Sequence, residues 1–145
     1  MRVYYLFKIN DYFSKLYFNK TYYLYKTLEQ ISLSSKNDFI ISYRLFEQMA
    51  LPYNKSQMNS NLFKKFYDDS NYTKTLNKHI YCDGVEDTKL TVYNTYIKIK
   101  SNKNITKFFK VLEKEENIFV CDFKNKDYFW LNKVQSKKLV QTNFF

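Results

Sequence analysis

Alternating hydrophobic and polar positions predict a strand at the start of the chain. Residues 3–9 are rich in β-branched and aromatic side chains, which favour extended backbone. Because successive side chains of a strand point to opposite faces, this segment should present apolar groups on both sides of a sheet. The two predicted faces are Tyr4, Leu6 and Lys8 on one side, and Tyr5, Phe7 and Ile9 on the other.

A short helix with a wide aromatic stripe should follow the strand. Asn10 or Asp11 can cap it, because a short side-chain oxygen accepts hydrogen bonds from the free N–H groups of the first turn. The stripe has i, i+1, i+4, i+5 spacing and consists of Tyr12, Phe13, Leu16 and Tyr17. We expect Tyr12 and Leu16 to enter the protein's own core. Phe13 and Tyr17 lie at the other edge of the stripe, where they are candidates for binding a partner.

Helical spacing of apolar side chains predicts three further helices before residue 68. Thr21 should cap the first of them, and Asn37 or Asp38 the second. Pro52 should end the second, because a proline pushes the residue before it out of helical geometry. The expected helices cover residues 21–33, about 38–50 and 55–67, with a turn at 34–38.

The pattern changes from helices to strands after Asn71. Residues 89–93 and 96–100 alternate polar with apolar side chains, which is typical of half-buried strands. The other predicted elements are a strand at 79–82, a turn at Asp83-Gly84, a turn at Asn94-Thr95, a helix from Asn104 or Thr106 through Lys114, and a hairpin of residues 117–123 and 127–131.

This order of elements indicates an α+β fold. One strand, a run of helices and then mostly strands fit a single domain with a mostly antiparallel sheet packed with several helices. The length of 145 residues also fits one domain. The sequence carries no internal repeat and no sign of a second core.

Charge and composition point to acidic partners without choosing one. The net charge is +10 and is spread along the chain, so its field would steer the protein towards nucleic acid or an acidic protein. Arg2 and Arg44 are the only arginines. The favoured residues, Lys, Asn, Tyr, Phe and Ile, share AT-rich codons, so a Lys-rich surface can also follow from genome composition alone.

Cysteine usage and the absence of long apolar runs predict a cytoplasmic protein. Cys82 and Cys121 lie in apolar, strand-like surroundings, and we expect both thiols to be buried and reduced. The N-terminus lacks the apolar core and the small-residue cleavage site of a secretory signal. No run approaches the roughly 20 apolar residues of a membrane helix, so no membrane association is expected.

The residue inventory offers little for catalysis or metal binding. His79 is the one histidine, and we expect it at a sheet margin. The spacing argues against a dyad with Cys82, because residues three apart on a strand point to opposite faces. The sequence has no zinc-binding Cys or His spacing, and one glycine, Gly84, excludes a phosphate-cradling glycine loop.

The acidic clusters are expected to be solvated surface rather than catalytic groups. They are Asp68-Asp69, then Asp83, Glu86 and Asp87, and finally Glu113, Glu115 and Glu116. Nothing apolar in their neighbourhood would shift a pKa towards acid–base work. We therefore expect a protein that is not an enzyme, with no cofactor, no metal and no small-molecule substrate.

Direct nucleic acid binding is the alternative function. Lysines interleaved with tyrosine and phenylalanine can neutralise phosphates and stack on bases. However, the arginines that usually read bases are nearly missing, and no RRM aromatic motif occurs. The aromatic residues also have the spacing of core positions, which makes this alternative the less favoured one.

Two segments near the ends of the chain carry a family resemblance. The first has Tyr4-Tyr5 in the strand, then Phe13 and, four residues later, Tyr17-Phe18 in the helix. The second has Asp122-Phe123, a polar turn at 124–126, Tyr128, and Trp130-Leu131-Asn132. Together they resemble the sporulation inhibitor of replication family, SirA, over about residues 1–134.

The resemblance implies a regulator that acts by binding a protein. SirA-like proteins bind the N-terminal domain of the replication initiator DnaA and restrain chromosome replication in cells committed to sporulation. The resemblance assigns Phe13 and Tyr17 to the contact surface and implies a further contact on a later helix, before Pro52. It also implies a SirA-like domain at residues 1–134 and a peripheral tail at 135–145. A structural subunit of a larger complex is a third reading.

Overall fold

An antiparallel sheet of eight strands forms the centre of the fold. The computed structural model of the protein describes residues 1–33 and 39–133. The elements, in chain order, are β1 (Arg2–Ile9), α1 (Asp11–Leu16), α2 (Thr21–Ser32), α3 (Phe39–Met49), β2 (Ala50–Leu51), α4 (Lys55–Phe66), β3 (Tyr72–Thr75), β4 (Lys78–Cys82), β5 (Asp87–Val92), β6 (Ile97–Ser101), α5 (Phe108–Leu112), β7 (Ile118–Asp122), β8 (Asp127–Trp130) and a final 3₁₀ turn (Leu131–Lys133).

The first strand of the chain lies inside the sheet. The order is β3-β4-β5-β6-β1-β7-β8, and the short β2 pairs with the end of β1. Every pairing is antiparallel, with Tyr5 of β1 opposite Lys98 of β6 and Cys121 of β7. The predicted α+β fold with a mostly antiparallel sheet is confirmed.

Each face of the sheet carries its own hydrophobic cluster. Tyr4 and Leu6 belong to one cluster, and Phe7 and Ile9 to the other, as the alternation along β1 predicts. A second cluster was not expected from the sequence. It exists because the central strands are apolar on both faces: every residue of β7 is buried, as in strands that are covered on both sides.

Helices cover the two faces unequally. On the first face, which we call the covered face, Met58, Leu62 and Phe66 of α4 and the apolar residues of α5 pack over the sheet. On the second, the half-covered face, Leu24, Tyr25 and Leu28 of α2 lie over β1, β7 and β8. Within the described residues, no helix packs on the part of this second face that belongs to β4 and β5, and β6 borders a groove beside α2 and α3.

Most predicted elements are present, with differences at the ends of helices. Asn10 caps α1, because its side chain accepts a hydrogen bond from the N–H of Phe13 at 2.9 Å. Thr21, however, is the first residue of α2 rather than its cap, since the carbonyl of Lys20 already accepts from Leu24 at 3.3 Å. Helix α5 is shorter than predicted, and the short strands β2 and β3 were not predicted.

His79 is buried in β4 rather than at a sheet margin. Its Nδ1 lies 2.7 Å from the hydroxyl of Tyr72, and its Nε2 lies 2.7 Å from Oδ1 of Asn59. Since a carbonyl oxygen only accepts, Nε2 carries the proton and Nδ1 accepts from Tyr72. Burial, with a smaller effect of Lys74, lowers the pKa of His79 to about 4. The prediction was wrong because β3, which holds Tyr72, continues the sheet beyond β4.

One predicted surface carboxylate is also buried. Glu86 accepts a hydrogen bond from Thr88 Oγ1 at 2.7 Å, and the backbone N–H of Lys107 lies 3.3 Å from its carboxylate oxygens. These donors compensate for its loss of water, which a charge pattern in the sequence does not reveal. Glu86 therefore holds the loop before β5 against the loop before α5.

The two cysteines differ in exposure. Cys121 is buried in β7 as predicted, and burial raises the pKa of its thiol. Cys82 is exposed, contrary to the prediction, because β4 turns Tyr81 towards the covered face and Cys82 to the opposite one. Both are free thiols.

Two predictions lie outside the described residues. One is the turn at 34–38, including the cap by Asn37 or Asp38. The other is the peripheral tail at 135–145. The domain boundary at residue 134 therefore stays a prediction.

Candidate protein-binding surface

The position of α1 is fixed by hydrogen bonds to distant parts of the chain. The side chain of Asn10 donates to the carbonyl of Gln48 at 2.6 Å, and its backbone N–H donates to the carbonyl of Met49 at 2.8 Å. At the same end of the helix, the amide of Asn117 donates to Asp11 at 2.7 Å. The first turn of α1 is therefore attached both to the end of α3 and to the chain just before β7.

Ser14 marks the buried side of α1. Its side chain is 6% exposed, and its hydroxyl donates to the carbonyl of Ile9 at 3.2 Å. A small side chain at this position lets the helix lie close to the end of β1. The hydroxyl also finds a partner inside the protein, so its burial leaves no unpaired polar group.

The orientation of the aromatic stripe differs from the prediction. Tyr12 is 71% exposed and Leu16 is 47% exposed, although both were expected in the core. The helix is rotated by roughly a third of a turn from that expectation, so that the side of Ser14, Phe13 and Tyr17 faces the protein. Spacing along the helix identified the stripe but not the direction in which it points.

Phe13 and Tyr17 form a supported aromatic pair at the boundary between core and solvent. Both rings are half-buried and pack against the cluster of the half-covered face. Their centroids are 6.2 Å apart and their planes differ by 11°, which is a stacked arrangement. Tyr12 meets the edge of Phe13 at 5.2 Å. We call Tyr12, Phe13, Leu16 and Tyr17 the aromatic patch.

Further exposed aromatic residues follow at the start of α2, and sequence reasoning missed them. Tyr22 is 52% exposed and Tyr23 is 62% exposed. The buried face of this helix is formed by other residues, Leu24, Tyr25 and Leu28. That spacing is readable in the sequence, and it leaves Tyr22 and Tyr23 on the outer side of α2.

Charged groups on α2 are paired with each other. Lys26 lies 3.1 Å from Glu29, and Tyr25 donates a hydrogen bond to the same carboxylate at 3.0 Å. These hydrogen bonds, first that of Lys26 and then that of Tyr25, lower the pKa of Glu29. On α1, Lys15 is exposed beside the aromatic patch. Asp11 and Lys15, both exposed on α1, give the surroundings of the patch both signs of charge.

The end of α3 borders the start of α1. Gln48, whose carbonyl binds Asn10, is exposed, and so are Arg44, Leu45 and Glu47 on the same helix. A partner that covers the first turn of α1 would therefore also reach the last turn of α3. The family resemblance implies a second contact on the helix before Pro52, and this helix end is where such a contact would lie.

Non-covalent docking is the chemistry that this surface supports. Clustered, partly exposed aromatic side chains with polar surroundings are typical of binding hot spots. Among residues 1–33 and 39–133, no group of three or more His, Cys, Asp or Glu side chains could hold a metal ion. In the same part of the chain, no helix has the length and apolar character that a bilayer crossing requires.

A separate groove lies between α2, α3 and the sheet. It has a volume of about 860 Å³ and an aromatic lining that includes Tyr5, Phe46, Tyr96 and Phe123. Lysines stand at its edge, among them Lys98 and Lys100. Among the described residues, the lining contains no acidic side chain, histidine or cysteine.

Comparison with known proteins identifies one family. The sequence model described as sporulation inhibitor of replication protein SirA matches residues 2–135. That span includes every described helix and strand, from β1 to the final 3₁₀ turn. No curated protein matches the chain.

Proposed function

Because the chain belongs to the SirA family of sporulation inhibitors of replication, we propose that it binds the N-terminal domain of the initiator DnaA. Binding restrains replication by occupancy: the inhibitor covers a surface that the initiator needs for assembly or for its own partners. Phe13 and Tyr17 lie at the centre of the contact. No catalytic step is part of this proposal, and the protein acts in the cytoplasm, where the chromosome is.

The half-buried stack of Phe13 and Tyr17 is the observation that carries the proposal. Their rings rest on the hydrophobic cluster below and on each other, with a centroid distance of 6.2 Å. Ordering a free side chain at an interface costs about 0.5–1.5 kcal/mol. Rings that are already held in place avoid most of that cost, which favours this pair as a binding hot spot.

The end of α3 supplies a second contact in this proposal. Gln48 lies beside the first turn of α1, since its carbonyl accepts from Asn10 at 2.6 Å. A surface formed by two helix ends is broader than the aromatic patch alone. It gives the initiator domain both an apolar centre and a polar edge, the usual organisation of a protein interface.

The positive charge of the inhibitor contributes mainly to the rate of encounter. A net charge of +10 attracts an acidic domain over distances beyond direct contact. Such steering changes the association rate more than the final affinity. Association with the initiator domain should therefore slow as salt is added, while dissociation changes little.

Titration of the purified protein with the isolated N-terminal domain of DnaA tests the proposal. Phe13→Ala and Tyr17→Ala should each weaken binding by about 2 kcal/mol or more, roughly 30-fold in Kd. Isothermal calorimetry measures the affinity, and circular dichroism checks that each variant is folded. Failure of the wild-type protein to bind this domain would contradict the proposed partner.

A control variant on another helix tests whether binding depends on the rings of α1 or on exposed aromatic surface in general. Phe63 and Tyr67 also lie four residues apart, on α4 and its end, with rings 6.0 Å apart. Phe63 is 47% exposed, but α4 covers the other face of the sheet. Phe63→Ala should therefore leave DnaA binding unchanged. If Phe13→Ala and Phe63→Ala lost the same amount of affinity for DnaA, the assignment of the binding site to α1 would be wrong.

A further inference from the structure

The uncovered part of the half-covered face presents a group of lysines. Four of them, on three adjacent strands, share this side of the sheet and form what we call the lysine face: Lys78 on β4, Lys89 on β5, and Lys98 and Lys100 on β6. The register assigns them to one side. Lys89 pairs with Lys100, and Thr91 pairs with both Lys78 and Lys98. Because Lys89 and Thr91 are two positions apart on β5, their side chains and those of their partners point to the same face.

The lysines are close enough for their fields to add. Lys89 lies directly opposite Lys100, and Thr91 lies between Lys98 on one neighbouring strand and Lys78 on the other. Strands are about 4.8 Å apart and each residue rises about 3.4 Å, so Lys89 lies within roughly 8 Å of each of the other three, while Lys78 and Lys100 are roughly 12 Å apart. The distances from Lys89 are therefore close to the Debye length of about 8 Å at physiological salt.

No carboxylate neutralises this group in the described part of the chain. The ion pairs found there involve Arg2, Lys8, Lys26 and Lys107, and none of the four lysines. Asp87 shares the face two residues before Lys89, without an ion pair to it. Lys98 lies over the ring of Tyr5, 5.8 Å from its centroid. Since like charges opposite each other destabilise a sheet, the Lys89–Lys100 pair favours an external anion.

We propose that the lysine face binds the phosphate backbone of duplex DNA. Lysine is depleted in the cores of protein–protein interfaces, whereas protein–DNA interfaces are much more positively charged. On β4 and β5 the neighbours of the lysines on this side are Ile80 and Thr91, and on β1 Val3 and Tyr5 lie opposite Lys100 and Lys98. Four lysines without a paired carboxylate among the described residues fit phosphates better than they fit the apolar centre of an acidic protein.

Duplex DNA fits this face better than a single strand does. Single-strand binding relies on rings that stack on bases, and Tyr93, at 40% exposure, is the aromatic residue that stands most open here. Its neighbour Tyr96 is packed against Tyr5 and Phe7. Duplex DNA carries one charge per about 1.7 Å of axis, so it supplies the denser row of phosphates. Without arginine among the four, binding is independent of base sequence.

The lysine face and the aromatic patch share no residue. An inhibitor that uses both would hold the initiator domain through α1 and lie against the DNA beside it through the sheet. This inference goes beyond the proposed function, and either binding activity can be lost without the other. Phe13→Ala should leave DNA binding unchanged, and lysine variants should leave the affinity for the initiator domain unchanged.

Salt-dependent binding of the full chain to a short labelled duplex tests the proposal. Each phosphate contact contributes about −0.9 to the slope of log K against log salt, so Lys89→Gln/Lys100→Gln should reduce the slope by about 2. Fluorescence anisotropy at several salt concentrations gives the slope. Circular dichroism confirms that the variant is folded.

A second double variant controls for net charge. Lys64 and Lys65 are exposed on α4, on the covered side of the sheet, and Lys64→Gln/Lys65→Gln removes the same two charges. This variant should keep the wild-type slope. Equal reductions for the two double variants would overturn the proposal, because only net charge would then matter.

Competition with other polyanions tests the choice of duplex DNA. An unlabelled duplex should displace the labelled one at a lower phosphate concentration than a single-stranded oligonucleotide of the same length. It should also compete better than polyglutamate at equal charge. Stronger competition by the single strand or by polyglutamate would overturn the assignment to duplex DNA.

Discussion

The two faces of the sheet have the same central strands but different surroundings. On the covered face, α4 and α5 pack over a cluster that extends from Tyr72 at one edge to Leu131 at the other. On the half-covered face, helices lie over β1, β7 and β8. Among the described residues none packs on β4 or β5, while the lysines of β6 line the groove beside α2 and α3. The covered face is therefore the main source of stability. The half-covered face carries the surfaces that we propose for binding.

The two faces also differ in how their polar and aromatic side chains are accommodated. A buried polar group on the covered face, such as His79, has a hydrogen-bond partner for each of its ring nitrogens. On the half-covered side, Phe13 and Tyr12 expose ring surface, and Lys89 lies opposite Lys100. Lysines that lie opposite each other bring no benefit to stability, and such a feature is typical of functional surfaces.

Replacing a leucine by alanine on each side of the sheet should give the largest difference in the free energy of unfolding. Leu62→Ala, on α4, should lower the free energy of unfolding by about 3 kcal/mol, because it leaves a cavity in the covered cluster. Leu16→Ala, on α1, should lower it by only about 0.5 kcal/mol, since Leu16 is 47% exposed. Urea denaturation measures both. Similar losses for the two variants would contradict the assignment of stability to the covered face.

Acid should destabilise the covered face through His79. Its pKa is about 4 in the folded protein against an ordinary 6.5, so the unfolded chain binds the proton more readily. The stabilisation is complete above the ordinary pKa and decreases as the pH falls towards 4. Between about pH 8 and pH 5, the free energy of unfolding should decrease by about 2 kcal/mol. Denaturation curves across this range measure it.

A variant without the imidazole controls for the other titrating groups. His79 is the one histidine of the chain, and His79→Gln should remove the dependence on pH between about 6.5 and 5. Lys74, opposite His79 on β3, stays charged throughout this range. If the dependence persists in the variant, carboxylates rather than His79 control the stability at these pH values.

Much of the fold follows from local sequence, because alternation within a strand needs no distant partner. The two faces of β1 were predicted residue by residue. The ends of the hairpin strands β7 and β8 were predicted to within one residue. Strand β3 was missed since its sequence, Tyr72 to Thr75, has one apolar residue and no alternation. It becomes a strand by pairing with β4, and that pairing also buries His79.

The candidate site was predicted less completely, for a related reason. The aromatic stripe of α1 is visible in the sequence, but four apolar residues within six positions do not define how a short helix is rotated. The rotation depends on the bond from Asn10 to Gln48, which lies 38 positions away, and on the close approach of Ser14 to Ile9. Contacts of this range are absent from any local pattern.

The smallest expected effect lies within the lysine face. Lys100→Glu should raise the free energy of unfolding by about 0.2–1 kcal/mol, because it replaces repulsion with attraction at the pair with Lys89. Urea denaturation at low salt measures the gain, and added salt should diminish it. Lys100→Gln, which removes the repulsion without adding attraction, should give a smaller gain.

If Lys100→Glu gained stability and lost DNA binding, the half-covered face would carry a residue that serves binding at the expense of stability. It would mean that Lys100 is retained although the fold is less stable with it, as expected for a residue selected for binding an anion. If Lys100→Glu destabilises the protein at low salt, the pair with Lys89 is not repulsive in solution. The four lysines would then be an ordinary solvated surface, and the open half of the sheet would have no binding role that this charge arrangement explains.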